Sequence, residues 1–226
     1  MTTPPGPEAP VLDTHPTAAA LWAATHAERA ALADDLAALT DRQWATASLC
    51  ARWSVEDVVA HLSAAAATGR VRWITSVARA RFRPDVHNDR RLAEQRGAGP
   101  AGTLARFRTL VPSTTAPLGP VAAWLGEVVV HAQDVRRPLG LTAAPPVPVV
   151  TAVARLYAAR DVAVDSRTAA AGLSLRASDG PFTAGEGPEV SGTTLALVMA
   201  MAGRGAFCDE LSGPGARVLR ERATRV

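Results

Sequence analysis

The sequence predicts a mainly α-helical chain with a small α+β part: a four-helix bundle followed by a C-terminal α/β domain. Three observations carry this. Apolar residues recur at helical spacing in four segments before residue 140. A Pro-rich break, "TAAPPVPVV", follows them, and beyond it comes the first alternating strand pattern, "GLSLRASDG". The expected division is a Pro-rich, flexible tail over 1–15, the bundle over 16–141 and the α/β domain over 148–226.

In the first helix Leu21, Thr25, Leu32, Leu36 and Leu39 share one stripe, Pro16 suits the first turn, and the end falls near "LTDRQW". Ser54 followed by Asp57 is a capping box, so a second helix starts at Ser54 and runs to Thr68. Gly69 bends or stops it, and an arginine-rich helical stretch reaches Arg83. Residues 84–99 open on Pro84, close in "GAGP" and read as a crossover. "AGTLARFRTLV" is the third helix, 112–120 is a loop, and Pro120 opens the fourth, which closes at "RRPLG" with basic residues in its last turn. The second unit is expected to hold a helix over Val149 to Val164, the short strand, then a strand end, a Gly turn and an apolar helix in "EGPEVSGTTLALVMAMAGRG". Its tail reads as a final strand or helix.

The composition, 48% hydrophobic and 20% charged in 226 residues, is that of a folded globular protein. All 24 basic residues are Arg, but the net charge is only +3. The arginines are scattered and aromatics make up 4%, which argues against a nucleic-acid partner. Cys50 and Cys208 form no C-x-x-C unit and no disulfide framework, as expected of a reducing cytoplasm. "MTTPPGPEAP" lacks the basic-then-apolar pattern of a signal peptide, and no apolar run approaches the ~18 residues of a membrane span. A soluble, cytoplasmic protein with no membrane partner is the expectation.

One segment breaks the apolar pattern. In "GEVVVHAQDVRRPLG", Glu127, His131 and Asp134 fall at i, i+4 and i+7, on one stripe of an otherwise apolar helix. A buried carboxylate or imidazole without a partner costs several kcal/mol, so the stripe needs a salt bridge, a hydrogen-bond network or a metal ion. His61 lies on the buried face of the second helix, with Val58, Leu62 and Ala65. Bundle metal sites are built from ligands projecting inward from facing helices, and two His with one Glu match a catalytic zinc site with an open fourth position. Imidazole favours zinc, and iron, nickel and cobalt fit the same ligand types. The competing account pairs Glu127 and His131 with Arg136 or a neighbouring helix in a structural network.

Asp134 is placed to orient a ligand imidazole or to act as a base; the plain alternatives are a salt bridge to Arg137 or solvent exposure. His87, in "DVHNDRR", reads as a surface residue, and His26 and His15 as surface or boundary positions. Cys50 reads as packing, with a metal or redox role as the alternative. The arginines of "GRVRW" and "RARFR" read as a solvated face rather than an anion cleft.

"SLCARWSVEDVVAHL", "GEVVVHAQDVRRPLG" and "GEGPEVSGTTLALVMAMAGRG" resemble, in this order, segments of the mycothiol-dependent maleylpyruvate isomerase family, and the likeness spans residues 17–222. These are actinobacterial proteins with a DinB-like four-helix bundle and a small C-terminal α/β domain. The resemblance implies that His61, Glu127 and His131 bind a divalent metal, usually zinc, and that mycothiol is the thiol cosubstrate. It implies a metal that turns the thiol into a nucleophile, which adds to a double bond, permits rotation and leaves, or in transferase relatives stays on the product. It implies arginines that hold a carboxylate substrate, for which Arg90 or Arg91 is positioned, and it sets Arg52 where relatives often have Gly. The expectation is a metalloenzyme, isomerase or S-transferase, acting on a small electrophile with a low-molecular-weight thiol, as a monomer or homodimer. The alternatives are a hydrolase using zinc-bound water and a non-catalytic metal- or thiol-binding protein.

Overall fold

The computed structural model describes residues 16–50, 52–81, 83–162 and 164–224. The tail expected over 1–15, and His15 with it, lies outside the described residues.

Capping chemistry fixes where the first helices begin. α1 (Ala18–Ala37) starts behind Thr17, whose hydroxyl accepts from the Ala20 amide, so Pro16 sits outside the first turn. Thr40 and Gln43 form a capping box for the short α2 (Asp41–Trp44). At α3 (Val55–Ala67), Ser54 Oγ accepts from the Asp57 amide at 3.2 Å while Asp57 Oδ2 accepts from the Ser54 amide at 3.0 Å, the box expected from the sequence. α4 (Arg70–Arg79), α5 (Pro84–Gln95), α6 (Pro100–Leu110) and α7 (Val121–Arg136) complete the first half.

Four of these close a ring: α1 packs on α6 and α7, and α3 packs on the same two. Their shared core includes Leu32, Leu36, Val59, Leu62, Phe107 and Val135. The expected crossover at 84–99 is a helix. Pro84 occupies its first turn, where a missing N–H is no loss, and α5 then packs against α3. The polar sequence of α5 hid this, because only one face of it meets the bundle. α4 has no buried residue and leans on α5.

The second half contains α8 (Val147–Ala159), α9 (Ser166–Ala170), β1 (Ser174–Ala177), β2 (Thr183–Ala184), β3 (Glu189–Gly192), α10 (Thr194–Met201), a 3₁₀ turn over Gly205–Glu210 and α11 (Ala216–Ala223). β1 is central, antiparallel to β2 and parallel to β3, with Leu175 opposite Val190. The expected strand and apolar helix are present. The helix expected to reach Val164 stops at Ala159, the tail is helical, and the two-residue β2 was not anticipated. α10 packs on α8 and α8 on α7, so one apolar core runs from Leu125 and Val129 through Val153 to Leu197 and Met201. Gly126 permits the α7–α8 approach: a Cβ there would stand 2.9 Å from the Tyr157 hydroxyl. Among the described residues no helix is long and apolar enough to cross a membrane.

Candidate metal centre

α3 and α7 face one another and bring His61, Glu127 and His131 to a single point. His61 Nε2 lies 2.7 Å from Glu127 Oε1, and His131 Nε2 lies 3.6 Å from the same oxygen. One ligand atom from each of the three residues falls within 4.8 Å of the others. The two imidazole rings meet edge to face at 4.9 Å, and the Trp53 ring covers His61 at 4.7 Å.

The next turn of α7 explains the orientation of His131. Asp134 is fully buried, and its Oδ2 lies 2.9 Å from His131 Nδ1. An ionised carboxylate only accepts, so Nδ1 carries a proton and Nε2 is the nitrogen turned toward Glu127. The far side of Asp134 is held by Arg204, whose Nε donates to Oδ1 at 3.0 Å and Nη2 to Oδ2 at 2.7 Å. Neither plain alternative for Asp134 holds, since Arg137 pairs with Glu210 instead. Arg136 does not serve Glu127 or His131 either; it is committed to Glu28 and Asp35.

The electrostatics agree with an ionised cluster. Burial alone would raise the Glu127 carboxyl, but the charge of His131, the hydrogen bond and charge of His61 and the charge of Arg204 outweigh it and hold it at about 2. Asp134 is likewise held below the usual carboxylate range: burial opposes this, and the bonds from His131 and Arg204 prevail. Burial, then the charge of Asp134, push the Cys50 thiol up to about 11. Cys50 reaches His131 and Asp134 as a second possible ligand group.

The donors fit a divalent cation. Two ligands each about 2.1 Å from a tetrahedral zinc stand about 3.4 Å apart, and the observed 2.7 and 3.6 Å bracket that spacing.

The centre forms one wall of a cavity of about 520 Å³. The opposite end is built by α5. His87, expected on the surface, is buried and lines this end with Asn88 and Arg91, because α5 is a helix packed on α3. Of the two candidate arginines, Arg91 faces the cavity and is buried, with Nη2 donating to Thr68 Oγ1 at 2.6 Å and Nη1 paired with Glu94. Arg90, the expected catalytic arginine, is exposed, donates to the Arg79 carbonyl and does not line the cavity. A helix turns successive residues by about 100°, so only one of two adjacent arginines can face inward. His26 hydrogen-bonds the Ser113 carbonyl and is not part of the cavity wall. Arg52 is exposed and takes a positive φ of 75°, a conformation that suits Gly. The arginines of "GRVRW" lie on a solvated face, with Arg72 paired to Glu94.

Sequence reasoning missed Arg204, Trp73 and Trp124, which also line the cavity. Only Trp124 carried a signal, standing one turn before Glu127 on the same stripe.

The family described as mycothiol maleylpyruvate isomerase N-terminal domain matches residues 25–136. Among solved structures, the chain is similar to a histidine-to-alanine mutant of the mycothiol-dependent maleylpyruvate isomerase, with TM-score 0.59 and 16% identity over 88% of this chain and 94% of that one. It is also similar to the mycothiol-dependent maleylpyruvate isomerase itself, with TM-score 0.54 and 15% identity over the same shares. At these identities the likeness is one of fold, and it extends across both halves of the chain. No curated protein matches.

Proposed function

We propose, for a chain whose residues 25–136 belong to the mycothiol maleylpyruvate isomerase N-terminal domain family, a metal-dependent enzyme that activates a low-molecular-weight thiol, mycothiol, for isomerisation or S-transfer on a small electrophile. The observation that carries this reading is the convergence of His61, Glu127 and His131 on one wall of a cavity large enough for two small reactants. In this reading those three residues hold the metal, and zinc suits two imidazoles and a carboxylate. A divalent cation at that point supplies one thing: it lowers the pKa of a thiol brought beside it, so that the thiol is a nucleophile at neutral pH.

The chain's own residues prepare that event. Glu127 is ionised at any working pH and offers charge without a proton. Asp134 holds the proton of His131 on Nδ1 and leaves Nε2 free; both of its oxygens are spoken for, which makes it a positioning residue rather than a base. Trp53 screens the imidazole of His61 from water.

Elemental analysis of the purified protein beside His61→Ala and His131→Ala tests the reading. The expected outcome is about one zinc per chain in the wild type, lost in both variants with helicity retained. Thiol consumption with a panel of electrophiles is expected to stop on chelation. A folded, zinc-supplied wild type without metal, or equal metal in all three proteins, sinks it.

A further inference from the structure

The cavity wall is charged only where the charge is already answered. Arg91 and Arg204 are its two arginines. The Arg91 side chain is 5% exposed, with Nη1 paired to Glu94 and Nη2 donating to Thr68 Oγ1. Arg204 gives Nε and Nη2 to Asp134, and its Nη1 donates to the Ala202 carbonyl at 2.6 Å. His87 adds no third cation, because burial, and then the charge of Arg91, lower its pKa and leave the ring neutral. At the other end, the charge of a divalent cation is answered by Glu127 and by the thiolate of the reading above. A carboxylate entering here would shed its water against guanidinium groups that each already face a carboxylate of the protein. The arginines expected to hold a carboxylate substrate are therefore engaged elsewhere.

The wall offers apolar surface in their place. Three of the chain's five tryptophans line it: Trp53, Trp73 and Trp124. Of the four large apolar side chains left exposed among the described residues, two stand at this cavity, Leu118 at 42% and Val162 at 41%. Single exposed apolar side chains need no explanation, but two gathered on one concave wall with three indole rings mark a surface that a ligand covers. The fold assembles that surface from separate segments. Leu118 comes from the loop before α7, Trp124 from α7 itself, and Val162 from the connection between α8 and α9. The second half of the chain thus supplies part of the wall that faces the candidate metal centre in the first.

We infer that the electrophile is an uncharged compound with an apolar body, which lies against Trp124, Leu118 and Val162 with its reactive end toward His61, Glu127 and His131. That the bound compound is an electrophile rests on the thiol reading above; that this wall takes an uncharged apolar compound does not.

The probes are 4-phenyl-2-butanone, an aromatic ketone with no group that reacts with a thiol, and its ring carboxylate, 4-(3-oxobutyl)benzoate. Equilibrium dialysis against the full zinc-loaded chain measures both. The ketone is expected to bind saturably and the carboxylate about 10-fold more weakly. Leu118→Ser and Trp124→Ala are each expected to weaken the ketone by about 3- to 10-fold, the loss of part of an apolar contact. Val71→Ser alters an exposed apolar side chain of α4 that is not part of the cavity wall, and is expected to change nothing. A carboxylate that binds as tightly as the ketone overturns the uncharged character. No saturable ketone binding up to its solubility limit overturns the surface, as does a ketone affinity that Leu118→Ser and Trp124→Ala leave unchanged or that Val71→Ser lowers equally. Because neither probe needs a thiol, the two readings fail separately. Ketone binding beside absent mycothiol turnover of the matching enone, trans-4-phenyl-3-buten-2-one, removes the thiol reading and leaves the apolar surface standing. Mycothiol-dependent turnover of maleate beside absent ketone binding does the reverse.

Discussion

α7 carries two polar clusters, and they solve the problem of buried charge in opposite ways. At its C-terminal end Arg136 is buried and pairs with Glu28 and Asp35, both from α1. That cluster is closed: one guanidinium joins both carboxylates, no part of it reaches the cavity, and the pairing locks α7 onto α1. Earlier on the same helix, Glu127 and His131 are also surrounded by apolar residues, but with His61 their ligand-capable atoms converge on the cavity. The titration behaviour separates them too. Burial raises Glu28 despite the charge of Arg136, while Glu127 and Asp134 are both held low. A buried ionic cluster with all its valences spent is structural; one that leaves lone pairs aimed at a cavity is a binding site.

The largest effect expected from breaking this contrast belongs to the closed cluster. Arg136→Met leaves two carboxylates facing each other without a cation, one of them buried, and is expected to cost about 3–5 kcal/mol of stability. Denaturant unfolding measures this, and metal content per folded chain is expected to remain at the wild-type level. Metal loss in folded Arg136→Met would erase the distinction between the clusters. Acid comes next, on the metal-free protein. A carboxyl with a depressed folded pKa contributes stability that is present above its unfolded value, 4.5 for Glu127, and lost as pH falls through about 2. Glu28, shifted upward, acts with the opposite sign: its contribution is present below 4.5 and lost as pH rises through its folded value. The open cluster therefore is expected to lose stability on the order of 2–3 kcal/mol between pH 4.5 and 2. Melting curves of chelated wild type and Glu127→Gln compare directly, the variant showing the shallower decline. Identical slopes would place the acid sensitivity elsewhere.

How far each cluster could be read from sequence follows from how local its causes are. The capping box at Ser54, the spacing of Glu127, His131 and Asp134, and the inward face of His61 depend on residues within two turns, and all were legible. The burial of His87 was not, because Pro84 and a polar run suggested a crossover; only packing on α3 shows that α5 has an inside. The same packing separates Arg91 from Arg90, which a pattern of adjacent arginines cannot do. Arg204 lies seventy positions after Asp134, on a turn whose sequence "GRG" carries no periodicity. The fold class was readable because four apolar periodicities set it. The α5 end of the cavity was not, because it is made by the meeting of helices with unremarkable polar faces. The positive φ of Arg52 sits between these cases: the expectation of Gly there marked the position without giving the conformation.

The smallest expected effect tests whether the open cluster extends beyond its three converging residues. Asp134→Asn keeps the size of the side chain and an oxygen that can accept from His131 Nδ1. It removes the charge that Arg204 grips through two nitrogens, and it leaves that guanidinium in a largely buried place without a counter-ion. The amide is then pulled between two donors with one oxygen to give, so the imidazole loses its fixed tautomer and part of its basicity. Groups that orient a ligand imidazole in this way typically contribute 10- to 100-fold to metal affinity, about 1.4–2.7 kcal/mol. Competition with a chromophoric chelator measures the change. The control is Arg137→Met at the C-cap of α7, three positions after Asp134, where the partner is the exposed Glu210 and the pair is worth at most about 1 kcal/mol in stability and nothing in metal affinity. If the two variants hold metal equally well, Asp134 and Arg204 belong with Arg136 among the closed, structural pairs, and the binding site ends at His61, Glu127 and His131.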